Sequence, residues 1–301
     1  MNEVVRKKEI APDTWQFFVN APEIARRRKA GQFVVLRVHE KGERFPLTLV
    51  SSDPDAGTIE LIFQAVGQST RLLAATEPGG EIMDLAGPLG RPTHIENFGR
   101  CVAMGGGYGM APIVPIARAL KNAGNEIVGI NGARSAEHVI LVDRFEEICD
   151  RVEVCTDDGS YGRKGFVTAV LQEMIDAGEQ VDFVLAIGPT PMMRAVANLT
   201  RPHGIKTVCS LNPIMVDGTG MCGGCRVDVG GETKFACIDG PEFDAHQVDF
   251  EMLMRRQRMY DGLESDTTRM FKPHSTPLVS EGVSCFLEEA ACQQEACEDG
   301  D

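Results

Sequence analysis

The sequence lacks the features that would assign it to a membrane or to nucleic acid. No run of 18 apolar residues occurs among its 301 residues, which predicts that no helix spans a membrane. Met1 is followed by Asn2 and Glu3 rather than by a basic and then an apolar segment, so we expect no cleaved secretory signal and a cytoplasmic protein. Lys and Arg number 30 against 44 Asp and Glu, and no basic face that would bind a nucleic-acid duplex is apparent.

The sequence is also poor in the usual hydrolytic motifs. It contains no Gly-x-Ser-x-Gly and no His-Glu-x-x-His segment, and none of its six histidines lies in a clear catalytic arrangement. The formal net charge of −14 is uneven, because residues 261–301 hold ten acids and only two bases. Serine, threonine, proline and acids dominate there, which predicts an extended or mobile acidic tail.

Four regions follow from the pattern of apolar residues. Short apolar runs broken by Pro, Gly and Asp predict an antiparallel β-barrel over residues 1–96. Strands alternate with helices over residues 97–211, which predicts a doubly wound parallel sheet of the nucleotide-binding type, with one of its helices over Ala136–Ile148. Residues 212–260 form a small Gly- and Cys-rich loop region with a helix near its end, and the tail occupies residues 261–301.

Two segments of the predicted barrel are candidates for binding a flavin. The first, on a strand, is Arg44-Phe45-Pro46-Leu47-Thr48, in which a cation for a phosphate precedes residues that can line a flat ring. The second, at a strand-to-helix turn, is Gly67-Gln68-Ser69-Thr70, where free N–H groups and hydroxyls can bind an anion. Separately, each segment is also explained by an ordinary strand or a plain N-cap. Together they indicate a flavin with its diphosphate.

A glycine-rich turn directly after an apolar strand is the candidate site for a nicotinamide nucleotide. It reads Gly105-Gly106-Gly107-Tyr108-Gly109, and its spacing differs from the usual Gly-x-Gly-x-x-Gly. Later loops that follow strands contribute Arg134, Asp157, Gly188 and Met192, which we expect at the same edge of the sheet because ligands bind at the carboxyl ends of such strands. Arg134 suits a phosphate or ribose, whereas Asp157 and its acidic neighbours favour NAD(H) and leave NADP(H) open.

The ten cysteines include one group with a cluster-like spacing. Asp217, Cys222, Cys225 and Cys237 reproduce the plant-type [2Fe–2S] spacing Cys-x4-Cys-x2-Cys…Cys, with Asp in the first position. A carboxylate oxygen can bind ferric iron, so one Asp and three thiolates form a reasonable ligand set. Two alternatives remain open: a zinc site that adds His246, and structural cysteines without a metal. The tail cysteines, Cys285, Cys292 and Cys297, have irregular spacing and are interpreted as free thiols.

These motifs, together with Gly87-Pro88-Leu89-Gly90, resemble those of the ferredoxin–NADP reductase superfamily. The stretch from Ser210 to Cys225 and the segment Cys237–Phe243 resemble most the family of small subunits of NADH-dependent ferredoxin:NADP oxidoreductase, also called sulfide dehydrogenase. The resemblance covers residues 1–260. It implies FAD in the barrel, a nicotinamide nucleotide on the α/β region and a [2Fe–2S] cluster held by Asp217 and the three cysteines. It also implies a large flavin/iron–sulfur partner subunit and a role in electron bifurcation.

We therefore expect an oxidoreductase subunit that passes electrons between NAD(H), FAD, a [2Fe–2S] cluster and a partner. Hydride transfer to a flavin needs no acid–base pair of side chains, which explains why no catalytic residue stands out. One alternative is the electron-transfer subunit of a dihydroorotate dehydrogenase, which predicts a Cys at the position of Asp217. The other is a zinc-stabilised nucleotide-binding regulator without redox activity.

Overall fold

The structure of the protein is a computed structural model that describes residues 2–260. The acidic tail and its three cysteines lie outside the described residues. No helix among residues 2–260 is long and apolar enough to cross a lipid bilayer.

The N-terminal part is a nearly closed antiparallel barrel of seven strands in the order β6-β1-β2-β5-β4-β3-β7. Its strands and two helices, in chain order, are β1 (Asn2–Ala11), β2 (Thr14–Asn20), α1 (Pro22–Arg27), β3 (Phe33–Arg37), β4 (Phe45–Asp53), β5 (Thr58–Gln64), α2 (Gln68–Ala75), β6 (Glu81–Ile82) and β7 (Asp84–Leu89). Alternate side chains point inward, and those of Phe17, Leu49, Leu61 and Phe63 are at most 1% exposed. Burial of each such side chain contributes about 1.5–3 kcal/mol.

The second part is a seven-stranded sheet with helices on both faces, in the order β11-β10-β9-β8-β12-β13-β16. Its elements are β8 (Arg100–Gly106), α3 (Met110–Asn122), β9 (Glu126–Ala133), α4 (Val142–Glu146), β10 (Arg151–Thr156), β11 (Arg163–Lys164), α5 (Val167–Asp176), β12 (Phe183–Ile187), α6 (Thr190–Thr200) and β13 (Lys206–Ser210). They are followed by β14 (Arg226–Val229), β15 (Glu232–Phe235), β16 (Glu242–Asp244) and α7 (Phe250–Gln257). Every pairing in this sheet is parallel except that of β16 with β13. The predicted barrel and doubly wound sheet are thus confirmed.

The predicted helix over Ala136–Ile148 is broken in two. A 3-10 turn spans Ala136–His138, and α4 begins only at Val142. Leu141, which directly precedes α4, has a φ of 59°, in the left-handed region that interrupts a right-handed helix. Its hydrophobic neighbours still pack on the sheet, which explains why the apolar pattern resembled one continuous helix.

Residues 212–260 join the core of the second sheet and pack on the outside of the barrel. The strand β16 extends the second sheet by pairing with β13, and Val227, Phe250 and Leu253 join the core on one face of that sheet. The hairpin of β14 and β15 forms a separate two-stranded sheet. On the other side, the loop residues that include Asp217, Cys222, Cys225 and Cys237, called the cluster loop, pack on the outer face of β3.

A buried ion pair joins the barrel to the second sheet. Glu60 on β5 is 1% exposed, and both of its oxygens accept hydrogen bonds from Nη1 of Arg144 on α4, at 2.8 and 3.0 Å. The Gln16 amide and the Ser51 hydroxyl donate further hydrogen bonds to this carboxylate. Val50 and Ile62 pack beside it in the core that α3 forms. The barrel and the nucleotide-binding sheet therefore meet through a fixed polar contact within an apolar surface.

Replacing Arg144 by Met should destabilise the fold, because Glu60 then keeps a buried charge without its principal cation. We expect a loss of about 1–3 kcal/mol in the free energy of unfolding measured with urea, below the full value for a buried pair because Arg144 is partly exposed. The matched control is Arg118→Met, which removes an exposed helix–helix pair with Glu147 and should cost below about 1 kcal/mol. Equal losses of unfolding free energy in the two variants would contradict a stabilising role for the Glu60–Arg144 pair.

Candidate functional site

The strand β4 presents the flavin-binding candidates on two different faces. Pro46 lies directly opposite Val35, and Thr48 directly opposite Phe33, so these four side chains share the outer face of the barrel. Phe45 and Leu47 alternate with them and pack against the barrel core. Their side chains therefore help to stabilise the barrel, although both are only half-buried. Sequence pattern alone did not separate these two roles.

Arg44 precedes β4 and is exposed, and no acidic group of residues 2–260 lies within 4 Å of its guanidinium. The adjacent Glu43 accepts a hydrogen bond from the Ser69 hydroxyl at 3.3 Å. This contact brings the strand segment and the start of α2 together, as the flavin hypothesis requires. The Glu43 carboxylate therefore competes with any anion that binds the Ser69 hydroxyl.

The start of α2 is capped by its own residues. The Thr70 hydroxyl accepts a hydrogen bond from the Gly67 backbone N–H and donates one to the Gly67 carbonyl, both at 3.1 Å. These bonds match the plain N-cap interpretation of Thr70. Gln68 is exposed and Ser69 half-buried, so both side chains remain accessible from outside.

The glycine-rich turn lies where the sheet changes direction, between β8 and β12. The chain winds outward from β8 on one side and from β12 on the other, and such a switch point is where open α/β sheets bind ligands. β8 ends at Gly106, and Gly107–Gly109 form a single 3-10 turn that leads into α3. The turn and the loop after β12 touch, because a Cβ on Gly188 would lie 3.2 Å from the backbone N of Gly106.

The four glycines of this turn have different roles. A Cβ would lie 2.3 Å from the Met110 sulfur if placed on Gly105, and 2.4 Å from the Ile187 carbonyl oxygen if placed on Gly109. A Cβ on Gly106 would lie 2.6 Å from the Met192 sulfur. These three glycines permit close packing of the turn. Gly107 instead has a φ of +57° and open space around its Cβ position, so it is the glycine at which a ligand can approach the backbone.

Arg134 and Asp157 also lie at the carboxyl edge of the sheet. They follow β9 and β10, and the Asp157 N–H donates to the Ala133 carbonyl at 3.0 Å. Both side chains are exposed. Gly188 and Met192 occupy the same edge beyond the switch point. The structure thus brings the nucleotide-binding candidates to one edge, as predicted.

In the cluster loop, the four candidate ligands lie as two pairs. Cys225 and Cys237 are each 1% exposed, and their sulfur atoms are 3.2 Å apart. The Asp217 carboxylate accepts hydrogen bonds from the backbone N–H groups of Thr219 at 2.8 Å and of Cys222 at 2.7 Å. These donors hold the pKa of Asp217 below its usual range, so the carboxylate is ionised at neutral pH. Burial and the neighbouring Cys225 thiol raise the pKa of Cys237 to about 12, so metal binding has to release its proton.

Two pairs fit a two-iron cluster better than a single metal ion. Each iron of a [2Fe–2S] centre takes two protein ligands, and a tetrahedral metal holds two thiolate sulfurs about 3.7 Å apart, close to the Cys225–Cys237 separation. Among residues 2–260, no three His, Cys, Asp or Glu side chains converge enough to hold one metal ion. His246, the fourth ligand of the zinc alternative, instead contacts the Thr200 hydroxyl at 2.8 Å. The donor set therefore fits the iron–sulfur cluster and argues against zinc.

The cluster loop lies against the outer face of the barrel. A Cβ on Gly218 would lie 2.7 Å from the Leu89 side chain and 3.0 Å from that of Val35. Phe33 and Val35 form one apolar group with Met215, Cys225, Ala236 and Cys237. Because Pro46 and Thr48 share this face of the barrel, the cluster loop and the flavin candidates are neighbours. No local signal in the sequence indicated this contact.

Comparison with known proteins assigns each region to a family. Residues 2–94 match the oxidoreductase FAD-binding domain, residues 104–198 the oxidoreductase NAD-binding domain, and residues 212–249 the iron-sulfur cluster binding domain of dihydroorotate dehydrogenase B. The cofactors are therefore FAD, NAD and an iron–sulfur cluster.

Full-length relatives extend the assignment. The chain is 46% identical over 260 residues to a dihydroorotate dehydrogenase B (NAD(+)) electron transfer subunit homolog from Thermotoga maritima, covering 86% of this chain and 92% of the relative. It is 44% identical, with a TM-score of 0.85, to a chain from the structure of the NADH-dependent reduced ferredoxin-NADP oxidoreductase, covering 90% and 98% of the two chains. A ferredoxin NADP+ reductase from Neisseria gonorrhoeae, 19% identical over 67% of this chain and 90% of its own, has a TM-score of 0.52 and shares the fold.

This chain combines the barrel, the glycine-rich switch point and the paired cluster ligands, and it is similar over most of its length to these relatives. The chain belongs to the flavin and iron–sulfur branch of the ferredoxin–NADP reductase superfamily, as an electron-transfer subunit of an NAD(H)-dependent oxidoreductase.

Proposed function

We propose that this chain is the small subunit of a cytoplasmic, flavin-based electron-bifurcating complex and passes electrons between NAD(H) and a large flavin/iron–sulfur subunit. The observation that carries the proposal is the contact of the cluster loop with the barrel face that bears Pro46 and Thr48. Bound FAD would supply hydride chemistry toward NADH and one-electron chemistry toward the cluster, which exchanges single electrons. The similarity to the NADH-dependent reduced ferredoxin-NADP oxidoreductase, whose structure was described for flavin-based electron bifurcation, supports the complex named here.

In this proposal the side chains bind, orient and shield the cofactors. Arg44, with Ser69, holds the flavin diphosphate, and the outer face of β4 supports the flavin ring. The backbone at Gly107 receives the nucleotide, and Arg134 with Asp157 contacts its ribose end. Asp217 and Cys222 hold one iron, whereas Cys225 and Cys237 hold the other. Burial of the second pair by Phe33 and Val35 excludes water on the side of the barrel.

The partner subunit is expected to cover the exposed side of the cluster loop. Met221, Val216 and Ile238 are 88%, 46% and 42% exposed, although all three are apolar and lie on or beside the loop. An apolar surface of this kind next to the exposed Cys222 suits a partner that brings its own acceptor close to the cluster.

A second candidate is the electron-transfer subunit of a dihydroorotate dehydrogenase. The match of residues 212–249 and the name of the Thermotoga maritima relative favour it. It predicts a Cys at the position of Asp217, which this chain lacks. Native purification followed by mass spectrometry separates the two: a large flavin/iron–sulfur subunit supports the bifurcating complex, and a dihydroorotate dehydrogenase catalytic subunit refutes it.

Arg44→Ala should weaken FAD binding about tenfold or more, because a hydrogen bond to a charged group contributes about 1.5–3 kcal/mol. The flavin content of the purified protein and a titration of the flavin-free protein with FAD measure this effect. Lys41→Ala is the control, since it removes the same charge from an exposed position in the preceding loop. Wild-type FAD affinity in Arg44→Ala would show that this arginine does not bind the flavin.

Gly107→Val should slow the reduction of bound FAD by NADH at least tenfold, while reduction by dithionite stays normal. The branched side chain enters the open space where the nucleotide has to approach the backbone. Gly204→Val is the control, because Gly204 has a similar φ of +63° and equally open space but precedes β13, at the opposite edge of the sheet. Equal NADH reduction rates in the two variants would locate the nucleotide elsewhere.

Asp217→Ala should lose iron or make it labile, whereas Asp217→Cys should retain the cluster with a changed electron paramagnetic resonance spectrum. The control is Asp53→Ala, since the Asp53 carboxylate also accepts two backbone N–H groups, at 3.0 and 2.9 Å, but lies in a barrel turn. Both variants lose a turn of this kind, but only Asp217→Ala removes a proposed iron ligand. An Asp217→Ala protein with wild-type iron content and spectrum would refute the ligand assignment.

A further inference from the structure

Two arginines donate hydrogen bonds to the carbonyls of the glycines between Cys222 and Cys225. Arg256, near the end of α7, donates from Nη2 to the Gly224 carbonyl at 2.9 Å, and its side chain is half-buried. Arg226 donates from Nη1 to the Gly223 carbonyl at 3.1 Å and is exposed. The end of α7 is therefore attached to the part of the loop that contributes two of the proposed ligands.

The next residue of α7, Gln257, bonds to the start of the segment that runs from Asn212 to Cys225. The Gln257 amide donates to the carbonyl and the side chain of Asn212, at 3.1 and 2.9 Å. The Thr190 hydroxyl at the start of α6 donates to Gln257 at 2.8 Å. Arg256 thus acts from a helix whose own position is fixed, so its guanidinium is a rigid support for Gly224.

The planar trans peptide links each of these carbonyls to an N–H group that points the opposite way. Turning the Gly223 carbonyl toward Arg226 turns the Gly224 N–H away from it, and this N–H lies 3.4 Å from the Cys222 sulfur as a donor. By the same geometry, the Gly224 carbonyl bonded to Arg256 turns the Cys225 N–H to the opposite side. Arg226 thereby orients the Gly224 N–H for donation to the Cys222 sulfur, and Arg256 fixes the orientation of the next peptide, between Gly224 and Cys225.

The charge of Arg256 acts on the cluster in the same direction as the Gly224 N–H donor. A guanidinium stays protonated at any physiological pH, and its half-buried position reduces screening by salt. Reduction adds a negative charge to an iron–sulfur cluster, and cluster potential depends on hydrogen bonds to sulfur and on nearby charge. A cation fixed on the loop therefore favours the reduced cluster.

We propose that Arg256 is a positioning residue for the iron–sulfur cluster: it fixes the Gly224 carbonyl between two proposed ligands, and its half-buried cation raises the cluster potential. The inference rests on the ligand set proposed above. It assigns to α7 a role that the Cys spacing does not reveal, since Arg256 follows the last ligand, Cys237, by 19 residues.

The test compares Arg256→Gln with Arg255→Gln in the full chain purified with its cofactors. Arg255 is the adjacent residue in the same last turn, is exposed, and its replacement changes the net charge and the helix-end charge equally. Iron content and a redox titration followed by electron paramagnetic resonance are measured, with FAD content as a further control. We expect a more negative cluster potential for Arg256→Gln and no shift for Arg255→Gln.

Equal cluster potentials and iron contents in these two variants would overturn the inference. If Arg256→Gln takes up no iron while its FAD content is normal, Arg256→Lys decides: recovery of iron supports the positioning role, and failure to recover it overturns it. An Asp217→Ala protein with wild-type iron content and spectrum would instead refute the proposed ligand set, so the two failures are distinguishable.

Discussion

The packing of the cluster loop on the outer face of β3 is the contact on which the rest of the site depends. Phe33 and Val35 face outward from the barrel, where a solvent-facing strand would carry polar residues, and Cys225 and Cys237 cover them. The close approach of Gly218 to Val35 permits this contact, because any side chain there would overlap the strand. The same packing buries two thiols and holds the loop beside the strand that carries the flavin candidates.

A second contact, between Glu60 and Arg144, fixes the barrel relative to the nucleotide-binding sheet. Hydride transfer requires the nicotinamide and the flavin to meet, although they belong to different parts of the chain. A buried charge pair has a narrow range of acceptable geometry. The apolar surface around Val50 and Ile62 adds hydrophobic stabilisation to this interface. The contact therefore contributes orientation as well as stability.

Two of the proposed cluster ligands differ in their ionisation when no metal is bound. Asp217 is held ionised by two backbone donors, whereas burial keeps Cys237 protonated in the absence of metal. A positive metal centre reverses the second preference, because it stabilises a thiolate far more than a thiol. Cluster insertion therefore has to offset the free energy of removing the proton from Cys237.

The sequence by itself determined the class of each region, because the relevant signals are local. Strand and helix periodicity, a glycine-rich turn and the spacing from Asp217 to Cys237 each lie within one short segment, and backbone chemistry restricts what such segments can form. Only the tertiary structure decided which side chains of β4 face outward, that Gly107 is the open glycine of its turn, and that the left-handed Leu141 divides a predicted helix. It also decided the contacts of Arg144 with Glu60 and of Arg256 with Gly224, which join residues 84 and 32 positions apart. Such contacts depend on how separate elements pack against each other, and no local pattern of residues records that packing.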